Sequence, residues 1–291
     1  MLKSLSTTRR NTVALLVLSL IVVFGLCLIV NAQLAQRYLQ QQVASQTERM
    51  AVYRNALAAV LQRYEYLPAV LSQNDQLFEL AFKQPEQASR QLALIRDESR
   101  ADEVYILRPD GMTIAASNWD QSVSFVGKNY GFRPYFIDAL NTEPGRGYFY
   151  GIGATTLIPG YFVSTRYPLH GEAKAVIVVK VDLAKIEKSW RSGGESVFVS
   201  DRNGVVILSS KQEWRYKTLQ PLTAEQKRRI DAQQQFADEA LDSLNIPMAD
   251  DQHRVHLGNT EYVHTLDSST VNGWKIHYLT PHAAVVSQLY A

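Results

Sequence analysis

The chain has 291 residues, 46% of them hydrophobic and 20% charged, so it can build a sizeable core without disulfides or structural metals. Thirty Lys and Arg against 28 Asp and Glu leave a formal charge of +2, which excludes the broad basic footprint of a nucleic-acid-binding domain. The one cysteine, Cys27, lies in an apolar run, which excludes an intramolecular disulfide and cysteine-based zinc or iron–sulfur centres.

From Thr12 to Val30 the sequence TVALLVLSLIVVFGLCLIV carries no charge over 19 residues. At 1.5 Å per residue it spans roughly 28 Å, about the hydrocarbon thickness of a bilayer. Lys3, Arg9 and Arg10 precede it and the next charge is Arg37. The positive-inside rule therefore predicts a cytoplasmic N-terminus (1–11), a transmembrane helix (12–30) that is a single N-terminal anchor, and a periplasmic or extracellular body. A cleaved signal peptide is the competing reading, because Val30-Asn31-Ala32 offers a processing site. Against it, signal h-regions are typically ~7–15 residues and are followed by a polar segment that is missing here.

After the apolar run, Leu34, Tyr38, Val43, Val52, Leu57, Val60, Tyr64 and Leu67 recur at mostly helical spacing, with no Gly or Pro before Pro68. This predicts a long stalk helix over about 33–66, within a stalk region of 31–75, whose apolar stripe needs a neighbour in its own domain or a second subunit. A second helical stretch is expected from Asn74 to Ser99. The pattern then turns to period two: Val104–Leu107 and Met112–Ser117 flank Arg108-Pro109-Asp110-Gly111, a hairpin with turn residues in place. VYILRPDGMTIAAS aligns without gaps on VFVSDRNGVVILSS 93 residues later, and Phe162-Val163-Ser164-Thr165 is echoed by Tyr262-Val263-His264-Thr265. We expect two α+β domains in tandem, 76–190 and 191–291. Strands should lie near 104, 113, 147, 161 and 175, then near 197, 205, 254, 261 and 274, paired antiparallel because most connections are too short for a crossover. A helical segment from Thr223 to Leu244 is expected on the surface, and the chain closes on a last strand and a short polar helix start.

The densest polar cluster is Tyr130-Gly131-Phe132-Arg133-Pro134-Tyr135-Phe136, ahead of a helix expected from Pro134 to Leu140. Arg133 at that helix start suits an anion, its fork matching a carboxylate with Tyr130 and Tyr135 as further donors. Equally, it could pair with a carboxylate of the fold while the tyrosines fill the core. Lys180 is the one cation in the strand AVIVVKV, on the face of Val176 and Val178. It requires a partner, a solvent path or a ligand, or else it snorkels from a strand end. The glycine-rich run from Gly147 to Ser164 lacks the G-K-[ST] of a phosphate loop and reads as a tight hairpin. His253, His256, His264 and His277 lie on strands that should scatter their rings, so no metal site is expected. No hydrolase, metalloprotease or nucleotide-binding motif is present.

Ala116-Ser117-Asn118-Trp119, the run from Ser124 to Phe136, Pro159-Gly160-Tyr161, Val178-Val179-Lys180-Val181-Asp182-Leu183 and Trp214-Arg215 together resemble the periplasmic sensor region of the C4-dicarboxylate transport sensor histidine kinases. The resemblance covers nearly the whole chain. It implies a double Cache fold, two PAS-like α+β modules on a long N-terminal helix, with a membrane-distal pocket for succinate, fumarate or malate. By that resemblance Tyr130 and Arg133 hold one carboxylate, and Lys180, Ser164 and Thr155 the other. Tyr148 and Asp182 are less certain members, Asp182 orienting Lys180 or a main-chain donor. The second domain, lacking Y-x-x-R-P, should be an empty spacer. The kinase parts that follow in that family lie beyond Ala291, so no enzymatic activity and no cofactor is expected here. Expected partners are the diacid, the membrane, a second subunit in a parallel homodimer and, where a kinase domain follows, a response regulator; nucleic acid is not among them. Sensors of other anions or amino acids feeding chemotaxis are the alternative, and an anchored periplasmic enzyme is the reading from another class. Replacing either cation by alanine is expected to abolish binding and leave the unliganded melting point nearly unchanged.

Overall fold

The structure is a computed structural model that describes residues 2–246, 254–268 and 271–281. It divides into two compact units, Met1–Arg49 and Met50–Ala291. In the first, every described residue belongs to helix α1 (Leu2–Glu65), which begins far ahead of the expected stalk. Among the described residues no helix is long and apolar enough to cross a membrane, and the run expected as an anchor over 12–30 falls within α1.

The second unit continues from Met50 with α2 (Leu67–Leu71), α3 (Asp75–Lys83) and α4 (Pro85–Ser99). Asn74 starts α3 by accepting a hydrogen bond from the Leu77 amide (3.1 Å). The helical stretch expected over 74–99 is interrupted at Gln84, whose φ of −142° follows from the steric demand of Pro85 on the residue before it. Strands β1 (Glu103–Leu107) and β2 (Thr113–Ala116), helix α5 (Pro134–Asn141), and strands β3 (Arg146–Ile152), β4 (Pro159–Tyr167) and β5 (Ala175–Val181) make the first sheet, in the order β2-β1-β5-β4-β3. Helix α6 (Ala184–Ser192) leads into the second: β6 (Ser196–Ser200), β7 (Val206–Ser209), helix α7 (Ala224–Ala232), β8 (Arg254–Leu257), β9 (Thr260–Asp267) and β10 (Lys275–Pro281), in the order β7-β6-β10-β9-β8. The two sheets have one topology, and every pairing is antiparallel as expected.

The repeat extends to individual bonds. Tyr105 pairs with Ala116 and Phe198 with Ser209, and the register slips at Ile106/Leu107 and again at Val199/Ser200. The Ser117 amide donates to Val104 O while Ser117 Oγ accepts from the Val104 amide; Ser210 and Val197 do the same, at the same distances. Gly111 and Gly204 hold the two turns at φ +83° and +79°, where only glycine is unstrained.

Strand β5 is central and buried over its whole length, which is why it reads as a continuous apolar run. Val104, Ile106, Ala115, Val163, Ile177 and Val179 face a core shared with Leu57, Leu61, Leu77, Phe78 and Leu92 of the helices, and this core continues to Val197, Val199 and Ile276 of the second sheet. The opposite face carries Tyr105, Leu107, Phe162, Val176 and Val178 beneath Tyr130, Tyr135 and Phe136.

Two sequence expectations are corrected. The 223–244 segment is helical only in α7, capped by the reciprocal Thr223 and Gln226 bonds, and then turns inward so that Gln235 and Phe236 are buried. The histidines are not all scattered: His264 and His277 lie on neighbouring strands with Nε2 and Nδ1 2.9 Å apart. His256 is exposed on β8, and His253 and the closing helix start lie outside the described residues.

Candidate functional site

The candidate site lies on the α5 face of the first sheet. The segment before α5 is tied to the β1–β2 turn: the Tyr130 amide donates to Gly111 O (2.9 Å) and Asn129 Nδ2 to Asp110 O (2.9 Å). A Cβ on Gly111 would fall 2.5 Å from the Gly131 backbone, so the turn glycine serves this contact as well as its own φ. Arg133 then takes extended backbone angles, its carbonyl accepts from Phe136 and Ile137, and Pro134 opens α5. Helix α5 lies close on β3 at Gly147, where any Cβ would strike the Tyr135 carbonyl, and Ser164 Oγ donates to that carbonyl (2.6 Å).

Six of the eight residues singled out from sequence lie on or beside this face. Tyr130 and Thr155 join through their hydroxyls at 2.7 Å. Tyr135 Oη accepts from Tyr105 Oη (2.8 Å) and its ring stacks on Phe162 at 5.2 Å. Arg133, 1% exposed, lies over the Phe149 ring (5.2 Å). Its Nη1 donates to Gln233 O and Gln234 O (3.1 Å each) and its Nη2 to Ile152 O (2.8 Å). Sequence offered a ligand or a carboxylate of the fold as its partner; its bonds among the described residues go to main-chain carbonyls, two of the three unforeseeable because they come from the second domain. Lys180, also 1% exposed, is opposite Phe162 in the register and forms an ion pair with Asp102 (2.5 Å). Its stem runs over Gly160, where a Cβ would sit 2.8 Å from Cε.

Two residues lie apart. Tyr148 pairs with Val163 and packs toward the helix-side core, bordering a cleft of about 360 Å³ between the sheets with Trp274, Arg202 and Arg229. Asp182 is exposed and accepts from the Ala184 amide (2.7 Å) at the start of α6, so it serves a main-chain donor and not Lys180. The partner that sequence reasoning missed is Asp102. Its signal was its place immediately before β1, since Glu103 is the register partner of Lys180.

Burial lowers the Arg133 guanidinium from its ordinary value, opposed by the neighbouring Tyr135, Tyr105 and Tyr130. Burial also raises Tyr130, and raises Tyr105 and Tyr135 further, so all three present neutral hydroxyls at physiological pH. Three of the five guanidinium N–H groups are used by carbonyls, which leaves two for an acceptor. Among the described residues no group of three or more His, Cys, Asp or Glu is placed to hold a metal. The face therefore carries a buried guanidinium with two N–H groups beyond its carbonyl bonds, hydroxyls beside it, and a second buried cation, Lys180, held by Asp102.

No protein-family model matches the chain. It is 34% identical over 259 residues, 86% of its length, to the C4-dicarboxylate transport sensor protein DctB of Pseudomonas aeruginosa. It is 32% identical over 190 residues to the protein of the same name from Rhizobium meliloti. The chain spans 40% and 30% of the lengths of these relatives. Among solved structures, the sensor domain of the V. cholerae histidine kinase DctB superposes with a TM-score of 0.74 at 24% identity, covering 83% of this chain and 98% of that one. The periplasmic domain of RsbU from Chlamydia trachomatis gives 0.64 at 16%, covering 90% and 100%. The V. cholerae match is to a sensor domain and the Chlamydia match to a periplasmic domain. The resemblance read from the sequence is thus borne out: over most of its length the chain is related to the sensor region of the C4-dicarboxylate transport sensor proteins and has the tandem α+β, double Cache fold of their sensor domain.

Proposed function

We propose that this chain is the extracytoplasmic sensor module of a two-component receptor and binds a C4-dicarboxylate on the α5 face of its first domain. The observation that carries the reading is the pair of buried cations, Arg133 and Lys180, on one face of one sheet. Between them lie Phe149 and Phe162, register partners on β3 and β4, with Lys180 opposite Phe162 on β5. Two strand spacings place the backbones of β3 and β5 roughly 10 Å apart, and side chains reaching inward narrow that to the reach of a four-carbon diacid. Arg133 would clamp one carboxylate with the Tyr130 and Thr155 hydroxyls, and Lys180, with Ser164 nearby, would meet the other. In this reading the 12–30 run is an anchor in the inner membrane, α1 pairs subunits in a parallel homodimer, and a response regulator is reached through kinase parts following in the full receptor.

Titration of succinate into the full chain in detergent should give a micromolar dissociation constant, about −8 kcal/mol. Butyrate, lacking one carboxylate, should bind at least tenfold more weakly, because a charge-assisted hydrogen bond contributes ~1.5–3 kcal/mol. Equal affinities would refute a two-cation site, and no heat with any C4 diacid would refute the ligand class. One observation favours a second reading: Asp102 beside Lys180 offers a carboxylate to a ligand ammonium, so an amino acid that outcompetes succinate would move the assignment to amino-acid sensing.

A further inference from the structure

The second domain reaches the candidate site directly. After α7 the chain turns at Gln234, φ +48°, and lays Gln233–Gln235 along β3, the edge strand of the first sheet. The Ile152 amide donates to Gln235 O (2.8 Å), and Gln235 Nε2 donates to Tyr150 O (3.0 Å) and to Asp201 Oδ2 (3.2 Å). A Cβ on Gly151 would fall 2.8 Å from Gln235 O, so the approach requires glycine there. Phe236 is buried beside Tyr216 of the second domain, which anchors the turn from behind. Into this joint Arg133 inserts its guanidinium, with both Nη1 bonds going to the turn and one Nη2 bond to the strand it covers.

We propose that the Gln233–Gln235 turn is a positioning element of the anion site, fixing the Arg133 fork by its main-chain carbonyls so that the remaining donors face the ligand. This rests on the reading of Arg133 as a carboxylate clamp. A guanidinium on a free side chain loses rotamer entropy when it binds, whereas one held in advance has already lost it. Coupling of this kind is reciprocal: if docking of the second domain tightens ligand binding, the ligand tightens docking by the same factor. The second domain is then part of the receptor's binding equilibrium and not an empty spacer, and this joint is one route by which occupancy of the first domain reaches it.

The test uses the full chain in detergent with succinate as probe. Gln235→Ala removes both side-chain bonds of the turn without touching Arg133, and should weaken succinate binding about five- to twentyfold. Val255→Ala, buried on the far side of the second sheet, should lower stability and leave the dissociation constant unchanged, which separates positioning from general loosening. In the unsubstituted chain, saturating succinate should slow hydrogen exchange at the Ile152 amide, by up to about a hundredfold at a hundred times the dissociation constant. An affinity within twofold for Gln235→Ala, or an Ile152 exchange rate indifferent to succinate in a chain that binds it, overturns the inference while leaving the ligand assignment standing. Should Gln235→Ala not fold, the exchange measurement decides alone. Failure of the unsubstituted chain to bind any carboxylate overturns the proposed function, and the inference with it.

Discussion

Replacing Arg133 by Met keeps an apolar stem over Phe149 and deletes the fork, leaving Ile152, Gln233 and Gln234 with three unmet carbonyls. Each bond from a charged donor contributes ~1.5–3 kcal/mol, so the gross loss is about 5–9 kcal/mol. Returning a buried guanidinium to water in the comparison removes a desolvation penalty of several kcal/mol. The net destabilisation should be about 2–4 kcal/mol. At roughly 2–4 °C per kcal/mol for a unit of this size, calorimetry should show a melting point lowered by about 4–16 °C without ligand. Succinate should no longer raise it. This corrects the expectation from sequence that an Arg133 substitution spares unliganded stability, because that expectation counted the guanidinium as a ligand contact and not also as the joint between domains. A melting point within 1 °C of the parent would refute the reasoning, since three buried carbonyls cannot lose their donor at no cost.

Gly160→Ala should separate binding from stability at the other cation: its Cβ would meet only the flexible stem of Lys180, so Lys180 swings off Asp102 and succinate weakens about tenfold, while the fold loses about 1 kcal/mol. A calorimetric dissociation constant within twofold of the parent would remove Lys180 from the site. The second domain should carry an acid sensitivity at His277, which stacks on Phe198 and is bonded to Ser200 and His264. Burial, then the positive charge of His264 and Lys275, holds it well below the ordinary 6.5. A folded value beneath the unfolded one contributes stability that is complete above about pH 6.5 and is lost as pH falls, at up to ~1.4 kcal/mol per unit. Glu103, Glu187 and Asp201, raised by burial, act with the opposite sign, so the comparison is between parent and His277→Gln: urea midpoints at pH 7 and 5.5 should converge in the variant. Identical pH dependence in both would show that His277 does not titrate differently on folding.

Much of this protein is local and therefore readable. Period-two runs, turn residues at Gly111 and Gly204 and a repeated hairpin announced two like-built antiparallel domains, because strand alternation and turn geometry depend on a few adjacent residues. Arg133 and Lys180 stood out for the same kind of reason, as cations in apolar or aromatic surroundings that charge alone would not tolerate. Their neighbours did not stand out. Asp102 meets Lys180 because β1 pairs with β5 across some 70 residues of chain, a register that no local pattern encodes. Tyr148, which the resemblance gave as a less certain member, is set on the other face by one residue of strand parity. The Gln233 and Gln234 carbonyls were invisible in principle, since every residue has a carbonyl and only the docking of one domain on another makes two of them partners of Arg133. His264 and His277 likewise became a pair only when β9 and β10 lay side by side. Side-chain chemistry marks where a group is out of place, but its partner is set by long-range strand pairing and domain docking, whose energies are spread over whole surfaces of the fold.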